Sequence, residues 1–148
     1  IDSFDGAETT LGDFHIKFYN GAYKKRILKF GENINSVGTL VTIGNTRAFL
    51  AGDINNKDGE EWRLAPKIGK VDLLKVGHHG YPFSSSIRFI KTLDPDIAVV
   101  CNKNARIYPH VRAKLKWLAK AKLYPTFDNG GVLARFDGSS IQMETHIM

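Results

Sequence analysis

The chain has 148 residues, of which 43% are hydrophobic and 24% charged, and this is the composition of an ordinary globular domain. No apolar stretch approaches the roughly 18 residues that span a bilayer, and the single cysteine, Cys101, excludes an internal disulfide bond. The formal net charge of +6 favours anionic partners, such as nucleic acid, teichoic acid or anionic lipid headgroups.

The elements predicted along the chain alternate between strands and helices. Residues 1–12 are polar and predict a linker-like start, and residues 20–35 predict a basic, glycine-punctuated loop. Strands are predicted at 14–19, 38–43, 46–51, 71–76, 96–101, 124–127, 132–136 and 141–145, and helices at 60–67, 87–93 and 111–121. In the second helix, Ile87, Ile90 and Leu93 are expected to face the core. The alternation indicates a single domain of α/β layer architecture.

Two of the predicted strands end in side chains that can bind a metal. Asp53 follows the strand at 46–51, and His78 and His79 follow the strand at 71–76. Open α/β sheets place their sites at the carboxyl ends of strands, and a carboxylate with imidazoles is a usual ligand set for zinc or manganese. Asp53 could equally be a turn residue, and the histidines could be partly exposed structural residues.

A third histidine, His110, follows Tyr108-Pro109 at the start of the last predicted helix. An imidazole at a helix N-terminus can contribute to an anion site, and it can also be an ordinary surface residue of the first turn. Lys103, Asn104 and Arg106 lie in the preceding loop and could help to hold a phosphate group.

The excess of positive charge is concentrated in two clusters. The clusters comprise Lys24, Lys25, Arg26 and Lys29, and Arg112, Lys114, Lys116, Lys120 and Lys122. Each cluster is either a solvated basic face or an electrostatic footprint for a phosphate-rich polymer.

Five segments together resemble the metallo-β-lactamase fold. They are Asn33-Ile34-Asn35-Ser36, Leu50-Ala51-Gly52-Asp53, Asp72-Leu-Leu-Lys-Val-Gly-His-His-Gly80, Ser84-Ser85-Ser86 and Asp94-Pro-Asp-Ile-Ala-Val-Val100. Two bacterial branches are most similar: the hydrolase-like domain of the DNA-uptake competence channel and the phosphorylcholine esterase of choline-binding surface proteins. The resemblance covers residues 33–136. It implies the C-terminal half of an αββα fold, a mixed sheet with flanking helices, and an extracellular or cell-surface location.

The resemblance also implies a site and a chemistry. Two divalent metals, zinc or manganese, would be bridged by Asp53 and completed by one of the adjacent histidines. The resemblance favours His79 as the ligand and His78 as a supporting residue or a contact to the substrate phosphate, and the opposite assignment stays open. His110 would lie near the substrate, which would be a phosphoester in nucleic acid or a choline phosphate on a wall polymer.

The main ligand motif of this family, His-x-His-x-Asp-His, is absent, since the histidines stand at positions 15, 78, 79, 110 and 146. We therefore expect residues 1–148 to be a partial domain that lacks the N-terminal half, with an incomplete metal site. Two functions stay open: part of a hydrolase that is active when the upstream half is present, or a non-catalytic remnant or binding module with a basic surface. A half-domain should expose apolar surface and self-associate through it.

Overall fold

A computed structural model of the chain describes residues 5–20, 32–102 and 107–146. Its strands are β1 Glu8–Leu11, β2 Phe14–Tyr19, β3 Gly38–Ile43, β4 Thr46–Leu50, β5 Leu73–Lys75, β6 Ile97–Val100, β7 Lys122–Pro125, β8 Gly131–Phe136 and β9 Ile141–His146. Its helices are α1 Glu60–Ile68, α2 Ile87–Leu93, α3 Pro109–Ala113, which continues as a π-helical turn Lys114–Leu118, and the short α4 Thr126–Asn129, with 3-10 turns at Glu32–Asn35 and Gly77–Gly80. No helix among these residues is both long and apolar enough to cross a membrane.

Strands β1 to β7 form one mixed sheet in sequence order, and β8 and β9 form a separate antiparallel pair. Neighbouring strands from β1 to β4 are antiparallel, and those from β4 to β7 are parallel. The parallel strands are joined by α1, α2 and α3, as crossover connections require. The prediction of a mixed α/β sheet with flanking helices is confirmed.

The hydrophobic core lies on one face of the large sheet. Leu40, Phe49, Leu74 and Ala98 occupy one row across β3 to β6, and all are buried. The Phe49 ring meets the ring of Phe89 from α2 edge to face, with centroids 6.2 Å apart. Burying a side chain of this size contributes about 1.5–3 kcal/mol, so this row holds α2 against the sheet.

The other face of the large sheet, called here the open face, carries two rows of mostly apolar residues. The rows are Ile16-Val41-Ala48-Leu73-Ile97 and Phe18-Thr39-Leu50-Lys75-Val99-Tyr124. Leu50 is 42% exposed, and several other members are half-buried. The open face is therefore apolar but incompletely covered by the described residues.

Three expectations from the sequence are wrong, and one of them is the strand predicted at 124–127, which ends at Pro125 because Thr126 and Phe127 belong to α4. Residues 8–11, expected in a linker, form the edge strand β1, whose four side chains are all exposed. The strand is held by antiparallel pairing with β2, and it lacks the burial pattern that predicts strands. Ile87 is 58% exposed, and Phe89 takes the expected inward place beside Ile90 and Leu93.

Some predicted features lie outside the described residues. The first basic cluster, with Lys24, Lys25, Arg26 and Lys29, falls in the 21–31 gap. Lys103, Asn104 and Arg106, predicted to help hold a phosphate, fall in the 103–106 gap.

Candidate metal centre

Asp53 and His79 lie together at the carboxyl ends of the adjacent parallel strands β4 and β5. The Asp53 Oδ1 atom is 3.4 Å from His79 Nε2, and the two side chains are 33% and 45% exposed. Because the strands are parallel, their carboxyl ends meet at the same edge of the sheet. The two groups that the sequence places about 25 residues apart thus face each other in a position open to solvent.

The ring of His79 is oriented by the end of β6. His79 Nδ1 lies 2.8 Å from the carbonyl oxygen of Cys101. Since a carbonyl only accepts hydrogen bonds, Nδ1 donates this bond, and Nε2 is the nitrogen that faces Asp53. Asn102 Nδ2 also donates to the carbonyl oxygen of His79 at 3.2 Å. An imidazole held in this way through one nitrogen is the usual form of a metal-binding histidine.

The two turns that carry Asp53 and His79 are joined through one carbonyl group. The Gly52 oxygen accepts a 2.8 Å bond from Lys75 Nζ and a 3.2 Å bond from the His78 amide. The Asp53 amide donates to Ser36 Oγ at 3.2 Å. The separation of the two turns is therefore set by hydrogen bonds and does not depend on the side chains of Asp53 and His79 alone.

The backbone of the histidine turn is unusual. His78 and His79 have φ angles of 48° and 54°, in the left-handed region that residues with a Cβ rarely adopt. Gly77 precedes them, and a Cβ there would collide with the carbonyl oxygen of Ile54. Both imidazole rings lie beside the Tyr81 ring, with centroids 5.7 Å and 6.1 Å from it. His78 Nδ1 is buried and has no hydrogen-bond partner among the described residues.

His110 does not pair with Asp53, but aromatic rings connect it to His79. The Tyr81 ring lies 6.1 Å from the His79 ring and 6.2 Å from the Tyr108 ring, and Tyr108 lies 5.5 Å from His110. His110 is exposed in the first turn of α3. The structure thus places it at the end of a row of rings that begins at the candidate centre.

A depression of about 630 Å³ opens beside His79. Its lining comprises His79, Tyr81, Cys101, Asn102, Thr126 and Phe127. Tyr81, Asn102 and Thr126 are not among the site residues predicted from the sequence. Asn102 could have been found, because it directly follows the predicted strand that ends at Cys101 and so reaches the same sheet edge. Tyr81 and Thr126 carry no comparable signal.

The residues present fit part of a divalent metal site. Asp53 and His79 supply an oxygen and a nitrogen ligand with a fixed ring, whereas catalytic zinc sites take three protein ligands. Across residues 5–20, 32–102 and 107–146 there is no group of three or more His, Cys, Asp or Glu residues that could hold a metal ion. A complete site would need donors beyond these residues.

Comparisons with known proteins show limited likeness in sequence. No protein-family model matches the chain. Recombination protein 2 of Haemophilus influenzae is 35% identical over 81 residues, which are 53% of this chain and 10% of that protein. ComE operon protein 3 of Bacillus subtilis is 33% identical over 111 residues, which are 71% of this chain and 14% of that protein. The chain thus spans only a small part of the length of these relatives.

A comparison of structures shows the fold. The CmlA β-hydroxylase E377D mutant, a protein of the metallo-β-lactamase fold, matches with a TM-score of 0.53 and 14% identity. The match covers 82% of this chain and 31% of that one. At this identity the likeness concerns the fold alone. The chain therefore has the predicted mixed sheet with flanking helices, and its fold is similar to the metallo-β-lactamase fold.

Proposed function

We propose that this chain is part of a metal-dependent hydrolase that acts on a phosphoester. The observation that carries the proposal is the pairing of Asp53 Oδ1 with His79 Nε2 at 3.4 Å, with the His79 ring fixed by the Cys101 carbonyl. The fold and the position of the pair at the carboxyl ends of strands support it.

Each residue has a distinct part in this proposal. A pair of divalent metals, zinc or manganese, would supply Lewis acidity and a hydroxide nucleophile when bound. Asp53 would help to hold the metals through its carboxylate and His79 through Nε2, while His79 Nδ1 donates to the Cys101 carbonyl oxygen. His78 and the exposed His110 would contact the anionic substrate. The other ligands would come from outside the described residues.

The favoured substrate is a phosphoester of nucleic acid. The two relatives are named for recombination and for the ComE operon, which agrees with the competence-channel branch of the resemblance. The net charge of +6 suits a polyanion. The choline-phosphate substrate is supported by the sequence resemblance alone.

A second candidate is a non-catalytic binding module with the same basic surface. One observation favours it: the described residues bring together two potential metal ligands and not three. In this case Asp53 and His79 would be a structural ion pair, and anionic polymers would bind without being cleaved.

Metal content separates the two functions. The chain, extended upstream so that the remaining ligands are supplied, would be loaded with zinc, desalted and analysed for metal, and the hydrolysis of bis(p-nitrophenyl) phosphate would be followed in the same samples. We expect about one or two ions per chain and near-complete loss in Asp53→Ala and His79→Ala. His15→Ala and His146→Ala are matched controls, since both histidines lie on strands away from the pair. A wild-type chain without metal would contradict the hydrolase proposal and favour the binding module.

A further inference from the structure

We propose that a second surface, here called the basic groove, binds the phosphodiester backbone of a nucleic-acid strand. The groove is an indentation of about 400 Å³ between the α3 segment, β7 and α4. It is lined by Arg112, Lys116, Ala121, Lys122, Leu123, Pro125, Asp128 and Asn129. It shares no lining residue with the depression beside His79.

The fold brings three separate cations to this groove. Arg112 and Lys116 are four residues apart on the α3 segment, so they lie on the same side of it. Lys122 begins β7, where its amide donates to the Asp96 carbonyl at 2.8 Å and fixes the strand beside β6. All three side chains are exposed. Three cations along one concave surface match a ligand with repeated negative charges better than a single small anion.

The structure separates these cations from others in the same sequence cluster. Lys114 turns inward, and its Nζ donates to the Ser84 carbonyl at 3.4 Å. Partial burial lowers the pKa of Lys114, although attraction by the Glu61 carboxylate opposes that shift. Lys120 does not line the groove. The cluster predicted as one basic face therefore contains a groove of three cations and an inward-facing lysine.

One carboxylate occupies the groove. Asp128 Oδ2 lies 4.0 Å from Arg112 Nη2, and both side chains are about half exposed, at 50% and 52%. Such exposed pairs contribute little to stability, so a phosphate oxygen can replace the carboxylate as the partner of Arg112. Lys122 is held over the Tyr124 ring at 5.2 Å, and its ammonium group remains accessible.

The position of the groove relates it to the candidate centre. Thr126 and Phe127 of α4 line the depression beside His79, and Asp128 and Asn129 of the same short helix line the groove. A strand that crosses α4 would contact both surfaces. The groove would thus hold the backbone of a strand whose reacting group lies at the centre. This inference rests on the proposed function only for the class of partner, which is a nucleic acid. Binding in the groove itself needs no metal.

The test measures binding of a fluorescein-labelled single-stranded DNA 20-mer by anisotropy, in EDTA and at several NaCl concentrations. Three phosphate contacts on a single strand predict a slope of log K against log salt that is about 2 units steeper than without them. The triple substitution Arg112→Gln, Lys116→Gln, Lys122→Gln should remove that part of the slope. Asp128→Asn should tighten binding several-fold.

The matched control is Lys57→Gln, Arg88→Gln, Lys91→Gln, which removes the same charge from exposed residues that do not line the groove. The proposal is overturned if the two triple variants weaken binding equally, which would indicate diffuse attraction, or if Asp128→Asn weakens binding. It is also overturned if the groove variant loses binding only to phosphatidylglycerol vesicles, which would indicate a lipid surface. Because the assay contains EDTA, these outcomes can be interpreted whether or not Asp53 and His79 bind a metal.

Discussion

At the residue scale, Lys75 connects the two turns of the candidate centre. Its ammonium group and the His78 amide both donate to the Gly52 carbonyl, at 2.8 and 3.2 Å. A hydrogen bond from a charged donor is stronger than one between neutral groups. Asp53 directly follows Gly52, and His79 directly follows His78. Loss of the Lys75 ammonium donor should therefore loosen both turns.

Lys75→Met tests this positioning role, because it keeps most of the side-chain length and removes the donor. We expect zinc affinity to fall by about 10-fold and the free energy of unfolding to fall by about 1–3 kcal/mol. Lys75→Arg should partly restore both, because the guanidinium group can still donate to Gly52. Affinity would be measured by competition with a chelator, and opening of the turn by hydrogen exchange of the His78 amide.

Lys91→Met is the control for Lys75→Met, since Lys91 is exposed on α2 and its loss should change neither quantity. Unchanged exchange of the His78 amide in Lys75→Met would show that Lys75 does not hold the turn. That readout stays valid even if the chain binds no metal.

At the scale of elements, one buried carboxylate joins α1 to the start of α2. Glu61 accepts hydrogen bonds from the amides of Ser85 and Ser86, each at 2.6 Å. Its side chain is fully buried, and burial raises the pKa of Glu61, while the two amides and Lys114 act in the opposite direction. Backbone N–H groups at the start of a helix have no acceptor within the helix, and the Glu61 carboxylate supplies acceptors at the start of α2.

The raised pKa of Glu61 predicts a pH dependence of stability. When the folded pKa of an acid exceeds the unfolded one, the folded state holds more protons between the two values, so stability falls as pH rises through that window. The contribution of Glu61 should be full below its ordinary pKa of 4.5 and should decline as pH rises through the raised pKa of the folded state. Urea unfolding of the wild type and Glu61→Gln from acid to neutral pH would measure it.

Glu61→Gln should be less stable than the wild type, by about 1–3 kcal/mol, because one amide oxygen cannot serve both backbone donors. The difference in unfolding free energy between the two proteins should shrink as pH rises. A difference that grows with pH would mean that the pKa of Glu61 is lowered by its hydrogen bonds, contrary to the prediction.

Elements with strong burial patterns could be predicted from the sequence, and elements held by backbone pairing could not. β2 has the predicted bounds because apolar and polar residues alternate along it, and β3 has them because the Gly44-Asn45 turn marks its end. β1 has four exposed side chains and depends on its pairing with β2. In α2, the Phe89 amide donates to Ser86 Oγ at 3.3 Å, so Ser86 caps the helix. The rotation of the helix that follows from this start buries Phe89, and the spacing of the isoleucines alone does not predict it.

The candidate site shows the same division. Asp53 and His79 could be predicted because each directly follows an apolar strand. The roles of Lys75 and Asn102 could not, because both act through hydrogen bonds to carbonyl groups of other segments, on Gly52 and His79. A sequence shows the side chains but not which backbone oxygens the fold brings to them.

At the scale of the whole molecule, the open face predicts association. Leu50 is 42% exposed between half-buried neighbours, and large apolar surfaces of this kind usually pack against a partner. We expect the isolated chain to form dimers through two open faces at high concentration, and Leu50→Asn to shift it toward monomer. Sedimentation velocity over a range of concentrations would measure this.

Leu11→Asn provides the control for Leu50→Asn, because Leu11 is an equally apolar and more exposed residue on the edge strand β1, at 70% exposure. A chain that stays monomeric throughout, or a Leu11→Asn variant that dissociates as readily as Leu50→Asn, would contradict the role of the open face.

The left-handed backbone at His78 and His79 has a consequence for the stability of the chain. Each non-glycine residue in that region costs about 1–3 kcal/mol, and glycine would adopt the same angles without that cost. Glycine at both positions would therefore make the turn more stable. If the imidazoles have the roles proposed above, the chain keeps them at the expense of a more stable protein.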